Sequence, residues 1–294
     1  MNAFVSDRYD ERVRRLALGI EIIDAARLDR AAKPIAVAID GVPLAGGTLP
    51  VHSSDVDMDG RLLRVSRHNS GLHAMVYVKN LYRSVTKESI DLRFLPPLRR
   101  FVPRRISFPL VDPATLTPEP LDRTDAELKV LRAARSRQPY LFPGSAYEVC
   151  SIATGLRGRV RRGAAPLRWA RVEARLPAPT GGAPGALLGR AHGDDRGEFL
   201  LIIGSPPGPL GTPAFKLAVE VTVFARPADP PVSDFIKQHD PLWDLPLEPV
   251  TASGPADPVS SGATIPPDYT SSVTQTITFR LGATLTSDVV PFIF

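Results

Sequence analysis

The sequence predicts a mostly β protein with two β-sandwich domains, one short linker helix and an extended C-terminal arm that ends in a strand. Three observations indicate this class. Apolar and polar residues alternate wherever the 294-residue chain shows a regular pattern. The chain has 31 prolines, about twice the average frequency of ~5%, and long helices do not tolerate proline in their interior. A hydrophobic fraction of 43% supplies enough apolar material for packed cores.

Residues 1–112 are predicted to form the first sandwich, with about six or seven short strands separated by turns. Asp40-Gly41 and the stretch 67–71 supply turn signals. The stretch 101–109 is predicted to be an edge strand, because Pro103 and Pro109 have no N–H to donate to a neighbouring strand. The alternating apolar positions of the other strands are Leu16, Leu18, Ile20, Ile22, Ile35, Val37, Ile39, Leu63, Val65, Leu72, Ala74, Val76, Ile90, Leu92 and Phe94.

Residues 113–145 are predicted to be a linker that carries one helix. Thr124 and Glu127 have the spacing of a capping box, in which each side chain bonds the backbone N–H of the other residue. Leu128 and Leu131 follow at helical spacing, and Pro139 ends the pattern.

Residues 146–226 are again predicted to be β and to form the second sandwich. A strand over 199–203 is apolar on both faces, which predicts that it is buried on both sides. Two loops rich in proline and glycine lie at 177–185 and 205–213, and a long alternating strand over 215–223 closes the unit.

Three short motifs of this unit resemble the carboxypeptidase regulatory-like (transthyretin-like) β-sandwich family. They are Gly158-Arg159-Val160, then Pro166-Leu167 followed by Ala170-Arg171-Val172, then 194–199 with Asp194, Gly197 and Phe199. The resemblance covers about 155–225 and implies an Ig/transthyretin-like sandwich without an activity of its own. We expect Asp194 to accept bonds from backbone N–H groups, Gly197 to adopt a positive φ and Phe199 to enter the core. The threonine usual before the aspartate is Gly193 here.

Residues 227–294, the C-terminal arm, are rich in proline, which favours an extended chain. We predict that its apolar residues bind in a groove of a neighbouring subunit and that its terminal strand extends an open sheet edge. The predicted anchors of the first part are Phe235, Leu242, Trp243, Leu245 and Leu247, and those of the strand are Val273, Ile277, Phe279 and Leu281.

Charge divides the chain into a basic body and an acidic tail. The net charge is +5. Residues 226–294 contain three basic and eight acidic residues, so the tail carries −5 and the body +10. This predicts contacts between the tail and a body, either its own or a neighbour's.

The alternate arginines of one predicted strand, 157, 159 and 161, could contact the phosphates of a nucleic acid. The aromatic residues on which single-stranded bases would stack are few, however. The sequence therefore favours a solvated face or an acidic protein partner over nucleic acid.

We expect no catalytic, cofactor or metal site. His192 beside Asp194 and Asp195 is interpreted as part of a turn, and the stretch 55–60 lacks the twelfth-position glutamate of a calcium loop. The single cysteine, Cys150, excludes an intramolecular disulfide and is predicted to be a buried small hydrophobe.

The domain order of the whole chain resembles that of subunits of bacterial contractile injection systems, which are phage-tail-like particles. This resemblance implies a non-enzymatic cap, adaptor or baseplate-associated subunit that docks to neighbours through its arm. Its partners would be other subunits of the particle or further copies of the same chain, and a membrane would not be among them. The alternative is a carbohydrate- or protein-binding module that uses the two loops, and a hydrolase with an unrecognised site is a third hypothesis. Without a secretory signal or a membrane-length apolar run, we expect a cytoplasmic particle.

Overall fold

A computed structural model describes most of the chain, and the structural statements below concern those residues only. They are residues 15–32, 34–40, 55–57, 62–77, 89–111, 124–178, 182–204, 216–251, 257–286 and 292–294.

The first half of the chain is built almost entirely of short strands, because its apolar residues alternate and its turns follow at short intervals. One α-helix interrupts them after β9. The elements in chain order are β1 (Arg15–Ile20), β2 (Ile23–Asp24), β3 (Asp29–Arg30), β4 (Ala36–Ile39), β5 (Asp55–Asp57), β6 (Leu62–Arg67), β7 (His73–Tyr77), β8 (Ser89–Leu95), β9 (Arg104–Pro109), α1 (Asp125–Arg135), β10 (Ser136–Arg137) and β11 (Tyr140–Leu141).

The second half contains longer strands, and one short helix lies in the C-terminal arm. The protein is therefore mostly β, as predicted. These elements are β12 (Thr154–Arg162), β13 (Ala165–Pro166), β14 (Arg171–Arg175), β15 (Leu187–His192), β16 (Glu198–Ile203), β17 (Lys216–Ala225), α2 (Asp234–His239), β18 (Leu247–Pro249), β19 (Ser271–Arg280), β20 (Thr284–Thr286) and β21 (Phe292–Ile293).

Three sheets lie in the N-terminal half, with strand orders β10-β1-β7-β6-β5, β18-β9-β8-β4 and β11-β2-β3. Leu18 and Met75 from the first sheet and Leu92, Phe94 and Phe108 from the second belong to one hydrophobic cluster and are fully buried. The strands that join from later in the chain, β10, β11 and β18, all pair in parallel.

Two further sheets enclose a second hydrophobic cluster. One has the order β15-β14-β17-β19, and the other has β12 at its centre, paired with β13 and β16 and with the short strands β20 and β21. Val172, Val221, Phe199, Phe279 and Phe292 are buried in this core. The last two belong to the C-terminal arm, so the arm contributes directly to the second core.

Strand β16 contacts both cores. Leu201 and Ile203 lie in the second cluster, whereas Leu200 lies in the first and Ile202 packs against it. This confirms the prediction that the strand is buried on both faces, and it makes the two halves of the molecule share one strand.

The predicted linker helix is confirmed as α1, and its capping box is present. The Glu127 backbone N–H donates to Oγ1 of Thr124, and the Thr124 N–H donates to the Glu127 carboxylate. The part of the predicted linker after the helix, residues 136–145, is not a free connection, because β10 and β11 each join a sheet of the N-terminal half. Residues 113–123 of the predicted linker lie outside the described residues.

Two local predictions were wrong. Strand β9 is not an edge strand: β8 pairs with one side of it and β18 of the arm with the other. Pro103 precedes the strand and Pro109 is its last residue, so the N–H groups between them remain free to bond. The arm is also not simply extended, because it contains α2, whose first turn is capped by the Ser233 hydroxyl. Among the described residues, no helix is long and apolar enough to cross a membrane.

Candidate functional site

Five acidic residues of the C-terminal arm bind arginines of the same chain. The most buried example is Glu248 on β18, whose carboxylate accepts from Arg104 of β9 and from Nη2 of Arg171 at 3.1 Å. Burial alone would raise the pKa of Glu248, but the two guanidinium groups outweigh burial and lower it below its ordinary value. The carboxylate therefore stays charged and holds the arm to both halves of the molecule.

A second buried cluster surrounds Arg93 on β8. Its Nη1 lies 2.8 Å from Oδ2 of Asp240 in the arm, and its Nε lies 2.9 Å from Oδ1 of Asp40. Arg105 also contacts Asp40. Strand alternation predicts that Arg93 points away from the apolar core, and it does; the arm covers that outer face.

Three less buried pairs continue the same pattern. Asp244 lies 3.0 Å from Arg168, Asp229 lies 3.3 Å from Arg162, and Asp268 contacts Arg226. The predicted contact between acidic tail and basic body thus occurs within one chain, whereas the pair of Asp268 and Arg226 lies inside the tail.

The first group of predicted arm anchors is split between buried and exposed positions. Leu245 is buried against Val102 and Trp169, and Leu242 packs beside them. Trp243 is half-buried, with the guanidinium carbon of Arg168 5.7 Å from its ring centre. These three anchors lie against the chain's own body.

Phe235 and Leu247 remain largely outside, with 54% and 39% of their surfaces exposed. The Phe235 ring lies 4.2 Å from the ring of His239 on the next turn of α2. Two further arm residues, Leu281 and Ile293, are 41% and 55% exposed. The arm therefore displays apolar side chains while its acidic groups are bound.

The predicted terminal strand is β19, and it extends the edge of its own sheet by pairing with β17 along ten residues. Phe279 is fully buried in the second core, and Val273 and Ile277 pack against that core while half-buried. Leu281 lies just beyond the strand. Val273, Ile277 and Phe279 share the core-facing side of the strand, and the threonines between them are exposed, because successive side chains of a strand point to opposite faces.

The turn between β15 and β16 has the geometry expected from the motif. Oδ1 of Asp194 accepts from the N–H groups of Arg196 and Glu198, both at 2.9 Å. Gly197 has φ of +70°, and a Cβ there would lie 2.4 Å from the carbonyl oxygen of Val160. Phe199 is buried against the Cα of Gly158 on the neighbouring strand, where no side chain could fit. The motif thus fixes the start of the strand shared by both cores.

The same turn binds the N-terminal half through Arg99, which the sequence analysis missed. Nη1 of Arg99 lies 2.5 Å from Oδ1 of Asp195 and 3.4 Å from Oδ2 of Asp194. Bonding to Asp195 raises the pKa of Arg99, whereas burial raises the pKa of the Asp194 carboxyl. Leu98 and Arg99 both have positive φ. No strand or helix pattern marks these residues, so the sequence carried no signal for the contact.

His192 is buried and stacked on Phe142, with ring centres 3.8 Å apart. Burial lowers its pKa well below the ordinary value, and the nearby charges of Arg171, Arg104 and Arg190 lower it further. The ring is therefore a neutral packing group in the folded state.

The remaining chemical candidates have simple placements. Cys150 is exposed, so the prediction that it is buried was wrong; it follows a stretch without regular structure and lies outside both clusters. Asp55 and Asp57 belong to strand β5 rather than to a calcium-type loop. Arg157 donates to the carbonyl groups of Ser145 and Tyr147. No group of three or more His, Cys, Asp or Glu side chains within the described ranges could hold a metal ion.

The sequence patterns did not identify the buried charges Arg93, Arg104, Arg171, Asp240 and Glu248 as a group. Alternation shows that a residue faces away from its core, but it does not show what covers that face. The available signal was the opposite charge of tail and body, which predicted contact without indicating which residues meet.

The chain matches no family model, no curated protein and no solved structure.

Proposed function

We propose that the protein is a non-enzymatic structural subunit of a phage-tail-like contractile injection particle, as a cap, adaptor or baseplate-associated component assembled in the cytoplasm. It docks to neighbouring subunits through its C-terminal arm. The observation that supports this is the distribution of exposed apolar residues. Eight large hydrophobic residues of the described chain are exposed, and half of them, Phe235, Leu247, Leu281 and Ile293, lie in the arm.

The way the arm is held also supports docking. Asp240 and Glu248 fix it through buried ion pairs, and Leu245 fixes it through apolar contacts. Phe235 and Leu247 are therefore presented by a segment that is already ordered. Binding through a segment that is already anchored loses less backbone conformational entropy than ordering a free arm would, and this favours assembly.

The finer fold assignment belongs to the same proposal. We propose that both halves are Ig/transthyretin-like sandwiches and that the second is a carboxypeptidase regulatory-like domain. The turn formed by Asp194 and Gly197 and the contact between Gly158 and Phe199 support the second assignment. The resemblance implies a recognition or assembly module, which agrees with the proposed role.

The experiment is deletion of the gene in the native host, followed by electron microscopy of purified particles. We expect particles that lack an end structure or fail to assemble, and restoration by the parent gene. Complementation with a Phe235→Ser, Leu247→Ser double variant is expected to restore fewer complete particles. The matched control is Val130→Ser with Ile152→Ser, two exposed apolar positions outside the arm. Unchanged particles after the deletion would refute the proposal.

A second candidate function is binding of a carbohydrate or peptide, and one cleft favours it. The cleft has a volume of about 670 Å³ and is lined by residues from both halves, including Tyr140, Phe142, Leu187, Arg190 and Gly204. Leu187 and Gly204 adjoin the two loops at 177–185 and 205–213. Residues 179–181 and 205–215 of these loops lie outside the described residues.

This candidate is tested with the full chain on an array that carries both glycans and peptides, and by calorimetry with any ligand that binds. Under this hypothesis, Arg190→Ala weakens binding at least tenfold, whereas Arg159→Ala, an arginine outside the cleft, leaves it unchanged. Absence of binding to any glycan or peptide on the array would reject the candidate.

A further inference from the structure

Among the described residues, strand β19 has one paired edge and one open edge. All ten of its residues pair with β17, and β19 is the last strand of its sheet. Within the described ranges, the other edge of 271–279 forms no backbone hydrogen bond with any residue. A row of N–H and C=O groups about 30 Å long is therefore available to another strand.

This edge lacks the features that normally prevent pairing between molecules. Ser271–Arg280 contains no proline and no lysine, and its single charge, on Arg280, lies at the end. Valine, isoleucine, phenylalanine and three threonines at its centre favour strand structure. Strand β15 at the opposite edge is shorter, contains Arg190, and pairs with β14 through an irregular register.

The other terminal strands in the described part of the chain are shorter than β19. Strands β15 and β16 have six residues each, and β3, β4, β5, β10, β11, β13 and β18 have between two and four. Strand β19 is therefore the site at which pairing gives the most hydrogen bonds.

We propose that a second copy of the chain pairs with this edge, β19 against β19, antiparallel about a two-fold axis through Thr276. In this register Thr276 lies opposite the partner's Thr276. Gln275 lies opposite the partner's Ile277, and Val273 lies opposite the partner's Phe279. A two-fold contact of this kind closes after two subunits, because each copy uses its own edge.

Side-chain complementarity supports this occupant. Opposed residues of an antiparallel pair lie on the same face, so Val273 and Ile277, both half-buried, gain a neighbour that covers them. On the outer face, Thr274 meets the partner's Thr278, and paired threonines stabilise a sheet. Thr222 and Thr274 already form such a pair within the chain, with hydroxyl oxygens 2.9 Å apart.

Charge selects the antiparallel arrangement. Arg280 lies four residues from Thr276, so the two copies of Arg280 are eight residues apart along the ladder, about 26 Å. This distance exceeds the Debye length of about 8 Å at physiological salt, so their repulsion is screened. A parallel arrangement in register would instead place the two Arg280 side chains next to each other.

The pairing of two β19 strands adds to the proposed function, and its occurrence within a particle rests on that proposed function. Its test uses only the purified full chain. The exposed Cys150 is first replaced by serine, and Thr276→Cys or Thr278→Cys is then introduced into that background. Both positions are exposed, and equal thermal melting of the variants and the parent verifies their folding.

We expect Thr276→Cys to form a disulfide-linked dimer under mild oxidation. Directly opposite residues have Cα atoms about 4.5–5.5 Å apart, which a disulfide can span. Thr278→Cys alone should not crosslink, because its two copies are about 13 Å apart. A mixture of Thr274→Cys and Thr278→Cys chains should crosslink to each other.

Equal crosslinking of Thr276→Cys and Thr278→Cys, or none in either, would overturn the inference. A second measurement is sedimentation of Thr276→Lys and Thr276→Glu chains. Each alone is expected to be monomeric, and their mixture dimeric; a mixture that stays monomeric would also overturn it. If the crosslinks form while the gene deletion leaves particles intact, the proposed function fails and the pairing stands.

Discussion

Arg104 and Glu248 form a two-point ion pair inside the protein. Nε of Arg104 lies 3.1 Å from Oε1 of Glu248, and Nη2 lies 2.7 Å from Oε2. The remaining donors of Arg104 bond the carbonyl groups of Tyr140, Ser260 and Val259. Because Arg104 lies in β9 and Glu248 in β18, the pair fixes the parallel strand that the arm adds to the N-terminal sheet.

We predict that Glu248→Gln lowers the free energy of unfolding by about 3–5 kcal/mol, because it leaves the buried charges of Arg104 and Arg171 without a counter-charge. Urea unfolding followed by circular dichroism measures this loss. The control is Glu198→Gln, which removes the more exposed ion pairs with Arg159 and Arg196 and should cost at most about 1 kcal/mol. Equal effects of the two variants would contradict this account of the buried pair.

The second prediction concerns the contribution of the arm to the second core. Phe279→Ala should destabilise the protein by about 3–5 kcal/mol, because it removes a fully buried ring and leaves a cavity. Thr278→Ala, on the exposed face of the same strand, should change stability by less than about 0.5 kcal/mol. Thermal unfolding of both variants is the measurement. A small effect of Phe279→Ala would mean that β19 is dispensable for folding.

The third prediction concerns the turn before β16. Gly197→Ala should lower the free energy of unfolding by more than the roughly 1–2 kcal/mol that a residue with a Cβ costs in the left-handed conformation. The reason is that the added Cβ would also lie 2.4 Å from the Val160 carbonyl oxygen. Gly163→Ala is the matched control, since Gly163 has φ of +56° and nothing within 4 Å of an added Cβ. Chemical unfolding of the two variants separates the steric contribution from the conformational one. Equal losses would argue against the close approach.

The fourth prediction concerns pH. The pKa of His192 is lowered in the folded state, so protonation favours the unfolded chain, in which an ordinary histidine titrates near about 6.5. Stability from the neutral ring is therefore complete above about pH 6.5 and falls as the pH drops below it, by at most about 1.4 kcal/mol per pH unit.

Urea unfolding at about pH 7.5 and about pH 5.5 measures this dependence. His192→Gln should lose less stability over this interval than the parent. His73, whose pKa burial also lowers, contributes in the same direction and remains in the variant. The lowered pKa of Glu248 acts at lower pH, since its stabilisation is lost only as the pH falls through the acidic range. An unchanged pH dependence in His192→Gln would contradict the prediction.

The candidate site could be predicted only in part from the sequence. The apolar residues of the arm were found, because a proline-rich segment with Phe235, Trp243 and Leu245 contrasts with an ordinary polar linker. Their distribution between buried and exposed positions was not predictable. Leu245 is buried because Val102 and Trp169, distant in sequence, lie beside it, whereas Phe235 has no such neighbours in that cluster.

Local sequence patterns were enough to predict the mostly β class, the capped helix at Thr124, the turn at Asp194 and Gly197, and the strand that is buried on both faces. Each of these depends on residues close together in the chain. Long-range packing, in contrast, sets three features: β18 covers β9, β19 extends the sheet of β17, and Asp240 and Glu248 meet Arg93 and Arg104. The contacts of β18, Asp240 and Glu248 join residues more than a hundred positions apart, and the pairing of β19 selects one sheet edge among several. Local alternation shows which face of a strand is apolar, but it does not show which strand or edge will be its neighbour.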